Sequence, residues 1–293
     1  LYLIKFSLLF CMLASLLIRL RIHFLIVVFG CTFLAGRSQA ALIGYWPLDQ
    51  IDIDDGTTAN LAYTSGSTFL PEASLTGSGF SIVNHGSRNN VLQSAGNNGS
   101  YIATGVLPTL TQDTDFTWSF FVQTNQSANS DVLFGNRGNN DGVSSNDATW
   151  LKFTHTKFEW QGPSNSNVRL DYDPVLSTGS AWTHLAVVKD GLSLKLYQNG
   201  VELTAETVTL AGGAWSISNL PLNIAGDLDF PTESSALFID DMAVFDHALS
   251  ASDIAGLANG TLTPLNIPEP AFSACLAIAC VGIMSRRKKR QMN

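Results

Sequence analysis

The stretch Trp182–Gly200 reads WTHLAVVKDGLSLKLYQNG, and it decides the fold class. Leu192, Leu194 and Leu196 alternate with Ser193, Lys195 and Tyr197, the period-2 pattern of a strand with one face in a core. Asp190-Gly191 precedes this run and Asn199-Gly200 follows it. Both dipeptides accept the positive φ angles of two-residue hairpin turns. Residues 182–189, 192–198 and 201–204 are therefore expected to form a three-stranded meander.

The same signals recur outward from it. Strands are expected at 42–48, 101–104, 116–123, 131–134, 150–153, 158–160, 222–225 and 237–245, separated by glycine, asparagine and serine. One short helix is expected near the end: Ser250 with Asp253 makes a capping box, Ile254 and Leu257 supply the apolar stripe, and Gly260 closes it. Many strands with a lone helix imply an all-β, two-sheet antiparallel sandwich.

Five segments carry a family resemblance. In order they are Tyr45-Trp46-Pro47-Leu48-Asp49, the 115–122 run DFTWSFFV, the 182–191 run WTHLAVVKDG, Leu196-Tyr197-Gln198-Asn199-Gly200, and the 239–245 run IDDMAVF. With Ala248-Leu249-Ser250 and Asp253-Ile254, they resemble the landmarks of the laminin G-like, concanavalin A-like jelly-roll superfamily. The resemblance implies a jelly-roll domain over 41–262. That superfamily holds both sugar-cleaving enzymes and non-catalytic binding modules, so fold alone does not assign activity.

The two ends read as addresses. Pro268-Glu269-Pro270, an apolar run over 271–284 and the basic block Arg286, Arg287, Lys288, Lys289 and Arg290 resemble the sorting signal of PEP-CTERM exported proteins. Fourteen apolar residues fall short of the roughly 20 of a spanning helix, and the cations favour the cytoplasmic side. The resemblance implies transient residence in the inner membrane, processing by an exosortase-type enzyme, and delivery to the cell surface or extracellular matrix. A simple C-terminal anchor is the alternative. At the other end Arg19 and Arg21, the apolar run 24–34 and Ser38-Gln39-Ala40 read as a signal peptide over 1–40, cleaved after Ala40, with Met12 as a possible true start. Residues 263–293 are then linker and sorting signal.

Composition narrows the function. All four cysteines lie in the end segments, so residues 41–270 hold no disulfide framework and no cysteine metal site. That span carries seven lysines and arginines against all twenty-four aspartates and glutamates, a net charge of −17 (7 − 24). Such a surface repels nucleic acid and anionic lipid.

Catalytic patterns are missing. Glycoside hydrolysis needs two carboxylates flanking the scissile bond, and the Glu-x-Asp-x-Glu of laminarinase-type relatives has no counterpart. Glu202 and Glu206 read as solvated hairpin charges. His184 reads as a packing residue, and no Gly-x-Ser-x-Gly elbow is present. Alternation over 237–245 puts Asp240 on one face with Phe238, Met242 and Val244, and Asp241 on the other with Ile239, Ala243 and Phe245. Carboxylates in apolar rows need a partner, so Asp240 and Asp241, with Asp49, are candidate ligands of a structural calcium. The alternative is a turn cap for one and solvent for the other.

Sugar binding by such sandwiches relies on aromatic rings and hydroxyl-reading polar groups. Trp118 and Trp182 are expected in the core. Trp150, Trp160 and Trp215, beside polar loops, are the candidate exposed rings, with Asn139, Asn140 and Asp141 as candidate polar contacts. The leading expectation is a non-enzymatic module for a polysaccharide or surface glycan, with no nucleic-acid partner. A protein-adhesive surface protein and a glycoside hydrolase of the same fold are the alternatives.

Overall fold

The structure is a computed structural model that describes residues 42–49, 57–58, 73–106, 110–124, 132–136, 150–161, 167–176, 179, 181–210, 216–217, 221–227 and 230–267. The described part lies within one compact unit, residues 41–267. Ala40, Pro268, Glu269, Pro270 and the basic block lie outside the described residues, as do Trp215, Asn139, Asn140 and Asp141. Among the described residues no helix is long and apolar enough to cross a membrane.

Among the described residues, with elements numbered in chain order, nine strands make the first sheet: β1 (Leu42–Trp46), β4 (Phe80–His85), β5 (Arg88–Ala95), β8 (Phe116–Thr124), β13 (Thr183–Asp190), β14 (Ser193–Gln198), β15 (Val201–Glu202), β16 (Val208–Thr209) and β19 (Ala236–Phe245). The second holds β2 (Thr57–Thr58), β3 (Ala73–Thr76), β6 (Tyr101–Val106), β9 (Phe134–Gly135), β10 (Trp150–Phe153), β11 (Lys157–Gln161), β12 (Asn167–Asp171) and β18 (Pro221–Ile224). A small pair, β7 (Leu110–Thr111) with β17 (Ser216–Ile217), completes the set. The pairings are antiparallel, as the meander leads one to expect.

Alternation builds the core. Trp118 and Phe120 of β8, Leu185 and Val187 of β13, and Leu194 and Leu196 of β14 turn inward onto Phe134, Phe153 and Phe158 of the second sheet. The Phe120 ring meets Phe153 edge-on, with centroids 4.8 Å apart. Burial of these aromatic and aliphatic side chains is the main favourable term. The expected strand over 131–134 is shorter than its pattern: Val132 and Leu133 are buried but only Phe134–Gly135 pairs as strand.

The other face of the first sheet is half covered. Helix α1 (Ala251–Asn259) starts at Ser250, whose side chain accepts from the Asp253 N–H in a capping box, and ends at Gly260 with φ +74°. Its Ile254 and Leu257, with Leu249, pack on Tyr45, Ala186, Val188, Tyr197, Ala243 and Phe245. Thr117 fixes the approach, donating to the His247 carbonyl at 2.8 Å and accepting from the Leu249 N–H at 2.9 Å.

The Asn199-Gly200 turn sits beneath this helix. Asn199 and Gly200 hold φ of 52° and 80°. A Cβ on Gly200 would stand 3.0 Å from both Ala255 Cα and Ala258 Cβ. Gly200→Ala is therefore expected to cost about 1–2 kcal/mol through strain and a displaced helix, read as a lowered urea midpoint.

Candidate functional site

The long strand β19 changes neighbours in its middle. Ala236 to Ile239 pair with β5, Met242 to Phe245 pair with β1, and Asp240 and Asp241 lie at the changeover. Opposite β8 the register slips there: Asp240 faces Phe121, yet Ala243 already faces Ser119. One extra residue on β19 is a β-bulge, and Asp241 has the positive φ that accompanies it, 50°. Leu237 and Ile239 before the bulge and Met242 and Val244 after it all join the inter-sheet core. The expected placement of Asp240 and Asp241 on opposite faces is thus corrected, because the bulge breaks strict alternation.

Both carboxylates reach one cation. Arg88, at the start of β5, donates through Nε to Asp240 Oδ2 at 2.5 Å and through Nη2 to Asp241 Oδ2. The Tyr45 hydroxyl, near the end of β1, donates to Asp241 Oδ1 at 2.5 Å. The Asp241 N–H donates to Asp240 Oδ1 at 3.0 Å. The Arg88 guanidinium lies over the Phe121 ring, 3.9 Å from its centroid, and 5.7 Å from that of Trp182. A forked, stacked arginine of this kind is geometrically demanding and is not replaced by lysine.

This arrangement gives Asp240 and Asp241 partners within the protein itself. Asp240 and Asp241 are satisfied by Arg88, Tyr45 and a backbone N–H, and Asp49 stands exposed beyond the end of β1. The guanidinium occupies one oxygen, Oδ2, of each carboxylate. Among the described residues no group of three or more His, Cys, Asp or Glu is placed to hold a metal.

Beside the cluster, between the outer face of the first sheet and the end of α1, opens a cleft of about 500 Å³. That volume is within the usual range for small-ligand sites, about 300–1,000 Å³. Its lining includes Arg88, Asp241, Phe121, Trp182, His184 and Asn259. Trp182 is partly exposed rather than in the core as expected, with its ring held by an Nε1–H bond to the His85 carbonyl at 3.0 Å. His184 is 1 % exposed, its Nε2 lies 2.8 Å from Ser119 Oγ, and its Nδ1 has no hydrogen-bond partner. It packs as expected, edge-on to Phe121, and it also borders the cleft.

The other candidate rings lie elsewhere. Trp160 is 3 % exposed and stacks on Phe116 with centroids 6.2 Å apart. Its candidacy as an exposed ring is corrected: on β11 the inward row is Phe158 and Trp160. Trp150 is half-buried on the second sheet, with Lys152 Nζ 5.4 Å from its ring. Neither residue lines the cleft.

Burial sets the ionisation. Desolvation lifts Asp240 to about 7, with the charge of Asp241 adding and Arg88 opposing. Desolvation lowers His184 to about 3, with Arg88 adding, and lowers His155 to about 4. From about pH 4 to 7 the folded state holds the Asp240 proton more tightly than the unfolded chain, so that carboxylate favours folding at acid pH and its contribution is lost as pH rises. The two histidines act oppositely: below about pH 6.5 the unfolded chain takes protons that the fold excludes. Asp49, also lifted by burial, acts in the same direction as Asp240, so the acid limb reflects two carboxylates opposing two histidines. Asp240→Asn removes the larger of the two carboxylate contributions, so the urea midpoint of the variant should change less favourably than that of the wild type between pH 7 and 5.

Comparison with known proteins follows the fold. No curated protein matches the sequence. Residues 96–255, more than half of the chain, match the Laminin_G_3 model, described as the concanavalin A-like lectin/glucanases superfamily. Among solved structures, domain 4 of AbnA, a GH43 extracellular arabinanase from Geobacillus stearothermophilus solved in complex with arabinotriose, aligns with TM-score 0.54 and 18 % identity. That alignment covers 75 % of this chain and 100 % of the other. The binding domain of Paraclostridial Mosquitocidal Protein 1 gives 0.52 and 15 %, over 76 % of this chain and 52 % of that one. The botulinum neurotoxin serotype D binding domain gives 0.51 and 17 %, over 75 % and 51 %. This chain therefore spans about half the length of each toxin domain, and at these identities the likeness is one of fold. The antiparallel two-sheet sandwich, its closing helix and a family match over more than half the sequence together make this chain a member of the concanavalin A-like lectin/glucanase superfamily.

Proposed function

We propose that the protein is an exported, non-catalytic glycan-binding module of the cell surface or extracellular matrix, and that the cleft beside α1 is its binding site. The observation that carries this reading is the juxtaposition of a fixed, partly exposed Trp182 with Arg88, Asp241 and Asn259 in one concavity. A flat ring suits the apolar face of a pyranose, and amide, carboxylate and guanidinium groups suit its hydroxyls. That a domain of the same fold, in the Geobacillus arabinanase, was solved with arabinotriose is consistent with it.

Binding is favoured over hydrolysis by the disposition of the acids. Asp240 and Asp241 are adjacent and grip a single guanidinium. They do not stand on either side of a space where a glycosidic oxygen could sit. The sorting reading of residues 268–293 supplies the route to the matrix: an exosortase-type enzyme acts on the tail during transient residence in the inner membrane.

Co-sedimentation of the full chain with the producing organism's exopolysaccharide tests the reading, alongside a reducing-end assay. Saturable binding competed by soluble glycan, with no reducing ends released, is the expected result. Absence of binding would favour the protein-adhesive alternative, and released reducing ends would overturn the non-catalytic assignment.

A further inference from the structure

The charge around the cleft has a definite sign. Arg88 is the one cation among its described lining residues, and its Nε and Nη2 are engaged by Asp240 and Asp241. Asp49 lies close enough to this group for its charge to be felt there, and Asp241 retains 30 % side-chain exposure. His184 is held neutral by burial and so offers no positive charge. The far wall is the C-terminal end of α1, where Leu257 to Gly260 border the cleft and no basic residue occupies the last turn. A helix C-terminus carries a partial negative charge equivalent to at most about half an electron. Around all of this lies a domain, residues 41–262, of net charge −16 (7 − 23).

A bound carboxylate would therefore find its guanidinium partner already taken twice, while facing Asp241 and a helix C-terminus across a low-dielectric cleft. A hydroxyl meets no such penalty, because it donates to Asp241, which keeps 30 % side-chain exposure. An ammonium group gains from the same field and from the neighbouring rings.

Resting on the glycan-binding reading, we infer that the cleft accepts uncharged or amine-bearing sugars and rejects uronates and other anionic glycans. The protein would then hold the neutral or amino component of a matrix, not its acidic one.

Matched pairs of oligosaccharides test this, since stereochemistry is fixed within each pair and the salt dependence isolates the effect of charge. The full chain is titrated with oligogalacturonate and its methyl ester, and with oligoglucosamine and its N-acetylated form, as part of an array of neutral and acidic glycans. At 20 mM salt the acid should bind at least tenfold more weakly than its ester, and the gap should narrow at 0.5 M salt, where charges are screened within about 4–5 Å. The amine form should bind at least as tightly as the acetylated one. Acid binding equal to or tighter than the ester at low salt overturns the inference. Ser87→Trp, at an exposed position on the cleft, fills its mouth without removing any of the cluster's bonds. It should abolish binding while leaving the melting temperature within about 2 °C of wild type. Glycan binding that survives Ser87→Trp removes the cleft, and this inference with it, but leaves the broader reading standing; no binding to any glycan on the array removes both.

Discussion

Arg88→Ala is expected to lower stability by about 3 kcal/mol at pH 7.5, a fall in melting temperature of about 6–12 °C for a domain of this size. The effect comes from what is left behind. Asp240, with a side chain only 7 % exposed, and Asp241 would stand side by side without a cation. Truncating one partner of a buried ion pair costs more than the pair contributes, because the remaining charge has no solvent to return to. The loss should shrink at pH 5, where Asp240, already lifted to about 7 by burial, takes up a proton instead. Arg88→Lys should recover less than half of it, since a single ammonium cannot donate in a fork to both carboxylates. Urea unfolding at the two pH values reads all of this. An Arg88→Ala midpoint equal to wild type would mean that the three residues do not form a buried cluster.

Trp160→Ala should cost about 4 kcal/mol of stability. Trp160 is 3 % exposed and packs between the sheets against Phe116, so its removal opens a cavity in the main core. Trp182→Ala should cost only about 1 kcal/mol, chiefly the lost bond to the His85 carbonyl, because that ring is already partly in solvent. The two tryptophans therefore separate stability from binding. A Trp160→Ala protein that melts with the wild type would contradict its placement in the core.

The extent to which this architecture is legible in the sequence follows from its periodicity. The meander, the capped helix and the five landmark segments all read correctly, and the landmarks prove to lie on β1, β8, β13, β14 and β19, contiguous strands of the first sheet. Each has a regular apolar row and a turn signal at its ends. The hairpin β4–β5 lacks that row: Phe80–His85 is nowhere fully buried and Arg88–Asn90 is polar throughout. Near the sheet edge, little of either face needs to be apolar, so no period-2 signal marks these strands. Arg88 was hidden with them, and two aspartates in an apolar strand then pointed to a metal. The signal that could have found it is scarcity: only seven cations exist between Ala41 and Pro270, and two adjacent carboxylates require one of them.

The bulge is illegible for a different reason. Alternation counts residues, and nothing in Ile239-Asp240-Asp241-Met242 distinguishes a regular strand from one carrying an extra residue. Aspartate tolerates positive φ better than most residues, but that preference alone does not locate a bulge. Trp182 shows that a place beside a core strand does not imply burial. It stands one residue before β13, where the chain enters the sheet, and it is partly exposed on the lining of the cleft.

The most direct test of the account is an equilibrium titration of wild type and Trp182→Ala with a glycan identified on the array, with thermal unfolding of both followed in parallel. The account predicts saturable binding by the wild type, at least tenfold weaker binding by Trp182→Ala, and melting temperatures within a few degrees of each other. Unchanged affinity in a folded Trp182→Ala protein would contradict it, and would place sugar recognition somewhere other than the cleft between the first sheet and α1.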